Sequence, residues 1–348
     1  MTDRIRRPAL GIRLATLAGA WLLLAAFSTD EPGVPRSNGE PFDLERPEIA
    51  AFIDQVVTRD GLQRAEVTAA LGAAVVRPEL TAEMKQAPEK TLDWWQYRLR
   101  FVTPGRIENG VRFIKEHQAV LDEIAAQSGV PPEYLAAILG IETNYGQITG
   151  TFREVDTLMT YAFDYPERGQ FFRSELRAFL LLARDLGRDP TTIRGSYGGA
   201  LGVPQLMPSN YRKFSAQYAG GGAVDLWTDW RAIVSGVADF LAARGWERNG
   251  LVLEDASAAD DVRIEAPAHF GLDETIDSLR AKGIAIDKKV KGSTPVLVIP
   301  AVVESGLKYR VGFRNFYVIT RYNPRVNYAM AVCDLAQAMR LALAEPHA

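Results

Sequence analysis

The sequence predicts a mainly α chain of the α+β kind with one small mixed segment near its C-terminal end, and three observations lead there. Apolar residues recur at helical spacing through most of the chain: Phe172, Leu176, Phe179, Leu180 and Ala183 form the i, i+4, i+7, i+8, i+11 stripe of an amphipathic helix. From about residue 256 to 316 the texture changes to short β-branched and aromatic runs, "DVRIEAP", "TPVLVIPAVV", "LKYRVGF" and "FYVITRY", interrupted by a helical "DETIDSLRAKG". Helical spacing then returns and continues almost to the end. The periodic stretches place helices near 47–59, 62–74, 106–128, 131–143, 168–187, 228–245 and 326–344. Residues 43–255 and 317–348 therefore read as one helical domain, with 256–316 as a small mixed α/β domain inserted into it.

Length and composition bound the function classes. A chain of 348 residues with 47% hydrophobic and 24% charged residues is an ordinary globular protein, neither a membrane bundle nor a disordered tail. Its net charge of -3 lacks the basic field that nucleic-acid binders use, so DNA and RNA are not expected partners. At the N-terminus, Arg4, Arg6 and Arg7 precede an apolar run from Leu14 to Phe27, followed by the polar, turn-rich "STDEPGVPRSNGEP". That order of charge, apolar core and small-residue exit predicts a secretory signal over 1–28, cut after Ser28, and a linker over 29–42. An uncleaved membrane anchor is the alternative, although the run is short for a full span. No cysteine follows the run, so a lipidated N-terminus is excluded on chemistry. The sole cysteine, Cys333, falls in an apolar helical pattern and is expected to be core packing.

"PPEYLAAILG" sets Leu135, Ile138 and Leu139 at helical spacing, and "NYG" at 144–146 reads as a stop signal. Glu142 then lies in the last turn of an apolar helix, where the negative end of the helix dipole and apolar neighbours both favour a protonated carboxyl. A carboxyl kept neutral near pH 7 is a proton donor, which a glycosidic oxygen needs before it leaves. The competing reading is a solvated helix-end glutamate, a common feature with no catalytic meaning.

Two further segments carry chemistry. "GSYGGALGVPQLMP", residues 195–208, combines four glycines with Ser196 and Gln205 as neutral hydrogen-bonding groups and Tyr197 as a flat ring. Polysaccharides are held by such groups; a tight crossing between helices would use the same glycines. The spacing is not that of a phosphate loop. "ITRYNPRVNYAMAV" gathers Arg321, Tyr322, Asn323 and Tyr328 at a strand-to-helix turn marked by Asn323-Pro324, where the alternative is a strand-face tyrosine and an N-cap asparagine. Trp94, Trp95 and Tyr97 suit a saccharide groove, although aromatics at this spacing are more often core. His117, His269 and His347 are far apart and lack metal-ligand spacing, and no serine sits in a GxSxG elbow. Acid chemistry must rest on carboxyls.

"GIETNYG", "FDYPERGQFFRSELRAFL", "GSYGGALGVPQLMPSNY", "DLWTDWRAIVSGVADFLAARGW" and "NFYVITRYNPRVNYAMAV" occur in family order and together resemble the membrane-bound lytic murein transglycosylase B family, from about residue 43 to 344. The resemblance implies a lysozyme-like helical fold and cleavage of the MurNAc-GlcNAc β-1,4 bond of peptidoglycan without water, leaving a 1,6-anhydro end. It implies Glu142 as the acid and base. Ser196, Gln205, Tyr322, Asn323, Tyr328 and, less closely, Tyr97 match its substrate-site positions, and Phe171 stands where the family has a further site tyrosine, keeping the ring without the hydroxyl. Glycan strands and other cell-wall enzymes are the implied partners, the periplasm the implied compartment, and no cofactor is implied.

Some family members carry a calcium loop of EF-hand type before "DLW". In "QYAGGGAVDLW" the first, third and fifth positions hold Gln217, Ala219 and Gly221, leaving Asp225 as the nearby acid, too few carboxylates for a hard dication. No metal is expected. Two alternatives remain at this level: a hydrolase of the same bond, with Glu175 or Asp164 as a second carboxylate, and a peptidoglycan-binding protein without catalysis.

Overall fold

Pro47 opens the first helix, α1 (Pro47–Asp60), where its missing N–H is one of the helix's unmatched donors, and Gly61 closes it in the left-handed region at φ 68. The computed structural model describes residues 37–80, 92–215, 224–259, 261–264 and 271–345, all in one unit. The expected signal segment, and Gln217, Ala219 and Gly221 of the calcium-type loop, lie outside the described residues. After α2 (Arg64–Gly72) come α3 (Trp94–Phe101), α4 (Pro104–Glu116), α5 (Gln118–Ser128) and α6 (Pro132–Thr143). Thr103 caps α4 by accepting the Arg106 N–H at 3.2 Å.

Three differences from the expected helices have physical causes. The single helix expected over 106–128 is two, broken at His117, whose ring packs 4.7 Å from Phe113 and 4.8 Å from Trp230. α3 was not expected as a helix: it is short, with Trp94 and Tyr97 buried. A further unexpected helix, α7 (Glu154–Asp164), follows the two-residue strand β1 (Phe152–Arg153); every residue from Glu154 to Ala162 is buried, so no apolar stripe distinguishes a face. The helix α8 (Gly169–Leu186) buries the predicted stripe of Phe172, Leu176, Phe179, Leu180 and Ala183. It packs against α7 and, beyond the strand β2 (Arg194–Gly195), against α9 (Pro208–Ser215), with α10 (Trp230–Ala242) next.

The mixed segment is a five-stranded antiparallel sheet formed by β3 (Leu253–Ala258), β4 (Glu274–Thr275), β5 (Ile284–Ala285), β6 (Pro295–Val303) and β7 (Gly306–Gly312), in the order β4-β6-β7-β3-β5. α11 (Ile276–Ala281) lies between β4 and β5. Alternation along β6 decides which core each side chain joins: Leu297, Ile299 and Ala301 belong to the main helical core, while Val296 and Val298 join Ile276, Leu279, Tyr309 and Val311 in a smaller one. "DVRIEAP" supplies no strand over its described residues 261–264, and the third long strand is β3, upstream of it.

"FYVITRY" is corrected outright. Its first four residues belong to the helix α12 (Arg314–Ile319) and the rest to the turn that leads into α13 (Val326–Ala344), so the Asn323 turn joins two helices and not a strand to a helix. A short run of apolar residues has no period that separates buried strand from buried helix. Here Phe316, Val318 and Ile319 are all buried, and buried Asn315 anchors the start. Its side chain accepts the Glu247 N–H at 2.7 Å and donates to the Glu247 and Gly250 carbonyls at 2.8 and 3.2 Å. The fold is mainly α with β elements, the expected class. No helix among the described residues is long and apolar enough to cross a membrane.

Replacing Asn315→Ala strands those buried backbone groups without a partner. Its stability should fall by about 2 kcal/mol, seen as a lower urea midpoint at unchanged slope; an unchanged midpoint would show the three bonds to be dispensable.

Candidate active site

Glu142 is placed by a helix with no free face. Every residue of α6 from Leu135 to Ile141 is buried, and Thr143 after it is buried too, leaving Glu142 half-buried at the helix end. Asn144 turns the chain into the left-handed region at φ 48, and Tyr145 follows at φ 60, so the N–H groups of both return to the carbonyls of Gly140 and Leu139 at 3.1 Å. Thr143 ties this end to the glycine-rich loop: its hydroxyl donates to the Val203 carbonyl at 3.0 Å and accepts the Gly146 N–H at 3.0 Å. Gly140 has to be glycine, because a Cβ there would lie 2.5 Å from the Tyr145 hydroxyl oxygen.

The side chain meets α13. Tyr328, 2% exposed in the first turn of α13, donates its hydroxyl to Glu142 Oε1 at 2.6 Å. Burial, and then the Glu142 carboxylate in its ionised form, hold that phenol well above the ordinary tyrosine range, so it remains a donor throughout the physiological range. Tyr322, in the turn before α13, is raised for the same two reasons; its hydroxyl donates to the Pro204 carbonyl and its ring lies 4.6 Å from Phe240. Glu142, Tyr322, Tyr328 and the Val203-Pro204 stretch, from three separate parts of the sequence, thus meet at one place.

Gln205 is attached to the same stretch. It takes a left-handed φ of 50, and its amide nitrogen donates to the Thr149 and Gly202 carbonyls at 3.1 and 2.9 Å, so what it offers a ligand is an acceptor oxygen. Ser196 stands farther along the loop, its hydroxyl oxygen accepting the Gly198 and Ala200 N–H groups at 3.3 and 3.1 Å, which orients the O–H as a donor. Tyr197 is half-buried, its carbonyl held by the Tyr161 hydroxyl at 2.9 Å. The loop is closed by bridges from Gly195 to Leu201 and from Leu201 to Leu206. Asn323 is half-buried in the α12–α13 turn, its backbone carbonyl accepting the Arg325 N–H at 2.7 Å.

Other expected residues are placed differently. Tyr97 is 1% exposed and stacked on Phe101 at 4.6 Å, and Trp94 is buried, so neither shows the open ring face that a saccharide groove needs. Tyr97 instead lies near Tyr328 and adds to its raised phenol. Phe171 is 39% exposed on α8, edge-on to Phe172 at 5.0 Å and covered by the Arg168 guanidinium at 4.4 Å. Of the two candidate second carboxylates, Glu175 is buried and accepts the Ser209 N–H at 2.9 Å and hydroxyl at 2.7 Å, while Asp164 pairs with Arg46 at 2.8 Å. Asp225 pairs with Arg188 at 2.9 Å and accepts the Trp227 N–H at 2.8 Å. Sequence reasoning missed Pro204 and Thr143, which act through a backbone carbonyl and a buried hydroxyl and carry no motif of their own.

Comparison with known proteins shows the family and the fold. The transglycosylase SLT domain matches residues 45–337. Membrane-bound lytic murein transglycosylase B of Escherichia coli K12 is 35% identical over 305 residues, 85% of this chain and 83% of that protein. Among solved structures, Escherichia coli lytic transglycosylase Slt35 in complex with bulgecin A aligns with a TM-score of 0.79 at 33% identity, over 88% of this chain and 97% of that one. Soluble lytic transglycosylase SltB1 of Pseudomonas aeruginosa aligns with a TM-score of 0.78 at 33% identity, over 86% and 100%. With its lysozyme-like helical body and a matching domain that spans Glu142, the Gly195 loop and most of α13, this chain belongs to the transglycosylase SLT domain family of lytic murein transglycosylases.

Proposed function

We propose that the chain is a peptidoglycan lytic transglycosylase that cleaves the MurNAc-β-1,4-GlcNAc bond and closes the muramoyl end as a 1,6-anhydro ring, with Glu142 as acid and then base. The observation that carries this reading is the hydrogen bond from the Tyr328 hydroxyl to Glu142 Oε1 at 2.6 Å. It makes Oε1 an acceptor and fixes the carboxyl plane, so the proton to be given sits on Oε2. That proton passes to the glycosidic oxygen as the sugar becomes oxocarbenium-like. The substrate's own N-acetyl carbonyl stabilises the cation, which removes the need for a second enzyme carboxylate. Glu142, now ionised, takes the proton of the C6 hydroxyl, whose oxygen closes on C1; the atoms balance with no water consumed.

The surrounding groups suit such a substrate. Ser196 offers a donor, Gln205 an acceptor, Tyr197 a ring and Asn323 an amide, all neutral, as a largely uncharged glycan requires. Tyr322, held by Pro204, keeps the glycine-rich loop against the Glu142 end of α6. Tyr97 backs Tyr328 from the core, and Phe171 lends an exposed ring at the periphery. The commitment of Glu175 to Ser209 and of Asp164 to Arg46 weighs against the hydrolase reading, which needs a carboxylate to activate water. The basic and apolar N-terminal segment, and relatives described as murein enzymes, support action in the periplasm on glycan strands, alongside other cell-wall enzymes.

Glu142→Gln keeps the shape of the side chain and removes the proton. Anhydro ends released from purified sacculi, read by mass spectrometry as one water lighter than reducing ends, should fall by about 10³-fold or more while glycan binding persists; near-normal release would sink the assignment. Tyr328→Phe removes only the hydroxyl that orients the carboxyl. Its kcat should drop roughly 10- to 100-fold with KM little changed, the equivalent of one charge-assisted hydrogen bond, and an unaltered kcat would show that Glu142 does not need the bond.

A further inference from the structure

Glu154 is a second carboxyl near the site, and the mechanism does not use it. It is the first residue of α7, wholly buried, and neither of its carboxyl oxygens has a hydrogen-bond partner among the described residues. Its location is defined by what the loop above it lacks. A Cβ added to Gly195 would lie 2.2 Å from Glu154 Oε2, and one added to Gly199 would lie 3.4 Å from Oε1. The carboxyl therefore fills the gap left by two absent side chains, against the glycines that flank Ser196 and Tyr197 in the loop. The backbone holds it there: Glu154 N–H donates to the Ile193 carbonyl at 3.0 Å, and Phe152 of β1 pairs with Gly195 of β2.

No cation among the described residues answers this carboxyl. Arg153 turns to the Ala73 carbonyl at 2.9 Å and towards Asp156, and Arg194 turns to the Thr151 carbonyl at 2.7 Å. The Tyr161 hydroxyl spans the Leu80 and Tyr197 carbonyls, both at 2.9 Å. From α8 the facing group is Glu175, which already accepts from Ser209 with both oxygens. A dry carboxyl beside another carboxylate favours its protonated form, and burial first, then the Glu175 charge, hold Glu154 well above the ordinary value.

We propose that Glu154 is the positioning residue of the glycine-rich loop: its carboxyl, lodged in the space left by Gly195 and Gly199, keeps Ser196 and Tyr197 in the arrangement that receives the glycan. The proposal rests on the glycan-binding reading of that loop. Ionised Glu154 would need water or a cation as a partner, so the loop lifts to admit one, and glycan binding weakens as it does.

The test uses the full chain carrying Glu142→Gln, in which turnover is removed, and a GlcNAc-MurNAc tetrasaccharide as the probe. Binding is titrated calorimetrically from mildly acidic to alkaline pH, with and without Glu154→Gln added. Once Glu154 begins to ionise, Kd of the Glu142→Gln protein should rise by up to about tenfold per pH unit, whereas the doubly substituted protein should show no such rise. Parallel pH profiles would overturn the proposal. Thermal stability gives a second readout on the otherwise unaltered chain. Because the folded carboxyl titrates above its unfolded value of 4.5, its stabilising contribution is full below that pH and is lost as pH rises towards the folded titration. Glu154→Gln, which cannot titrate, should therefore gain on the wild type in Tm as pH rises, and a difference constant with pH would count against the proposal. If Glu154→Gln does not fold, the volume-matched Glu154→Met takes its place; failure of both to fold at every pH would mark the carboxyl as merely structural and overturn it too. Absence of tetrasaccharide binding in every variant at every pH would instead overturn the glycan reading, and the proposal with it.

Discussion

The half-buried carboxyl at the end of α6 is met by α13, and the contact between those two helices is the interaction on which the candidate site depends. Tyr328 brings a hydroxyl to Glu142 Oε1 from the first turn of α13, and packing along the two helices sets the distance. The pairing depends on long-range packing: 186 residues separate the two partners, so the hydrogen bond forms only when the helices at the middle and end of the chain are docked. The sheet inserted between them does not interrupt that docking. Leu297, Ile299 and Ala301 on one face of β6 extend the helical core, and Arg310 of β7 pairs with Asp334 of α13 at 2.8 Å.

The glycine-rich loop is the third party to the contact. It reaches Glu142 through backbone groups, with the Val203 carbonyl accepting from Thr143 and the Pro204 carbonyl accepting from Tyr322. Small residues allow this approach, since each added Cβ at Gly195 or Gly202 would meet neighbouring atoms inside 3.0 Å. The polar side chains of the loop are consequently spent twice. Gln205 and Ser196 each use one end to hold the loop's own backbone and present the other outward, which pre-orders them for a neutral ligand.

Much of this was legible in the residues. The stripe on α8 and the apolar run of α6 with its Asn144 stop were read correctly because each is a local pattern of helical period or cap chemistry. α7 escaped because it is buried all round and so has no stripe, and α12 was read as a strand because six apolar-rich residues have no decisive period. The candidate site divided in the same way. Glu142, Ser196, Gln205, Tyr322 and Tyr328 stood out as candidates by type and by motif, whereas Trp94 and Tyr97, aromatic types that suit a sugar groove but more often a core, are buried.

By itself the sequence determined the class of fold, the family and the residue types available for chemistry, since periodicity, turn residues and ordered motifs are all properties of neighbours along the chain. Only the tertiary structure decided which of those residues meet: that Glu142 faces Tyr328, that Glu175 and Asp164 are occupied by Ser209 and Arg46, and that the Glu154 carboxyl has no hydrogen-bond partner among the described residues and lies against Gly195 and Gly199. The physical reason is that exposure, desolvation and hydrogen-bond partnership are set by atoms brought close from distant parts of the chain, and no local pattern encodes that closeness.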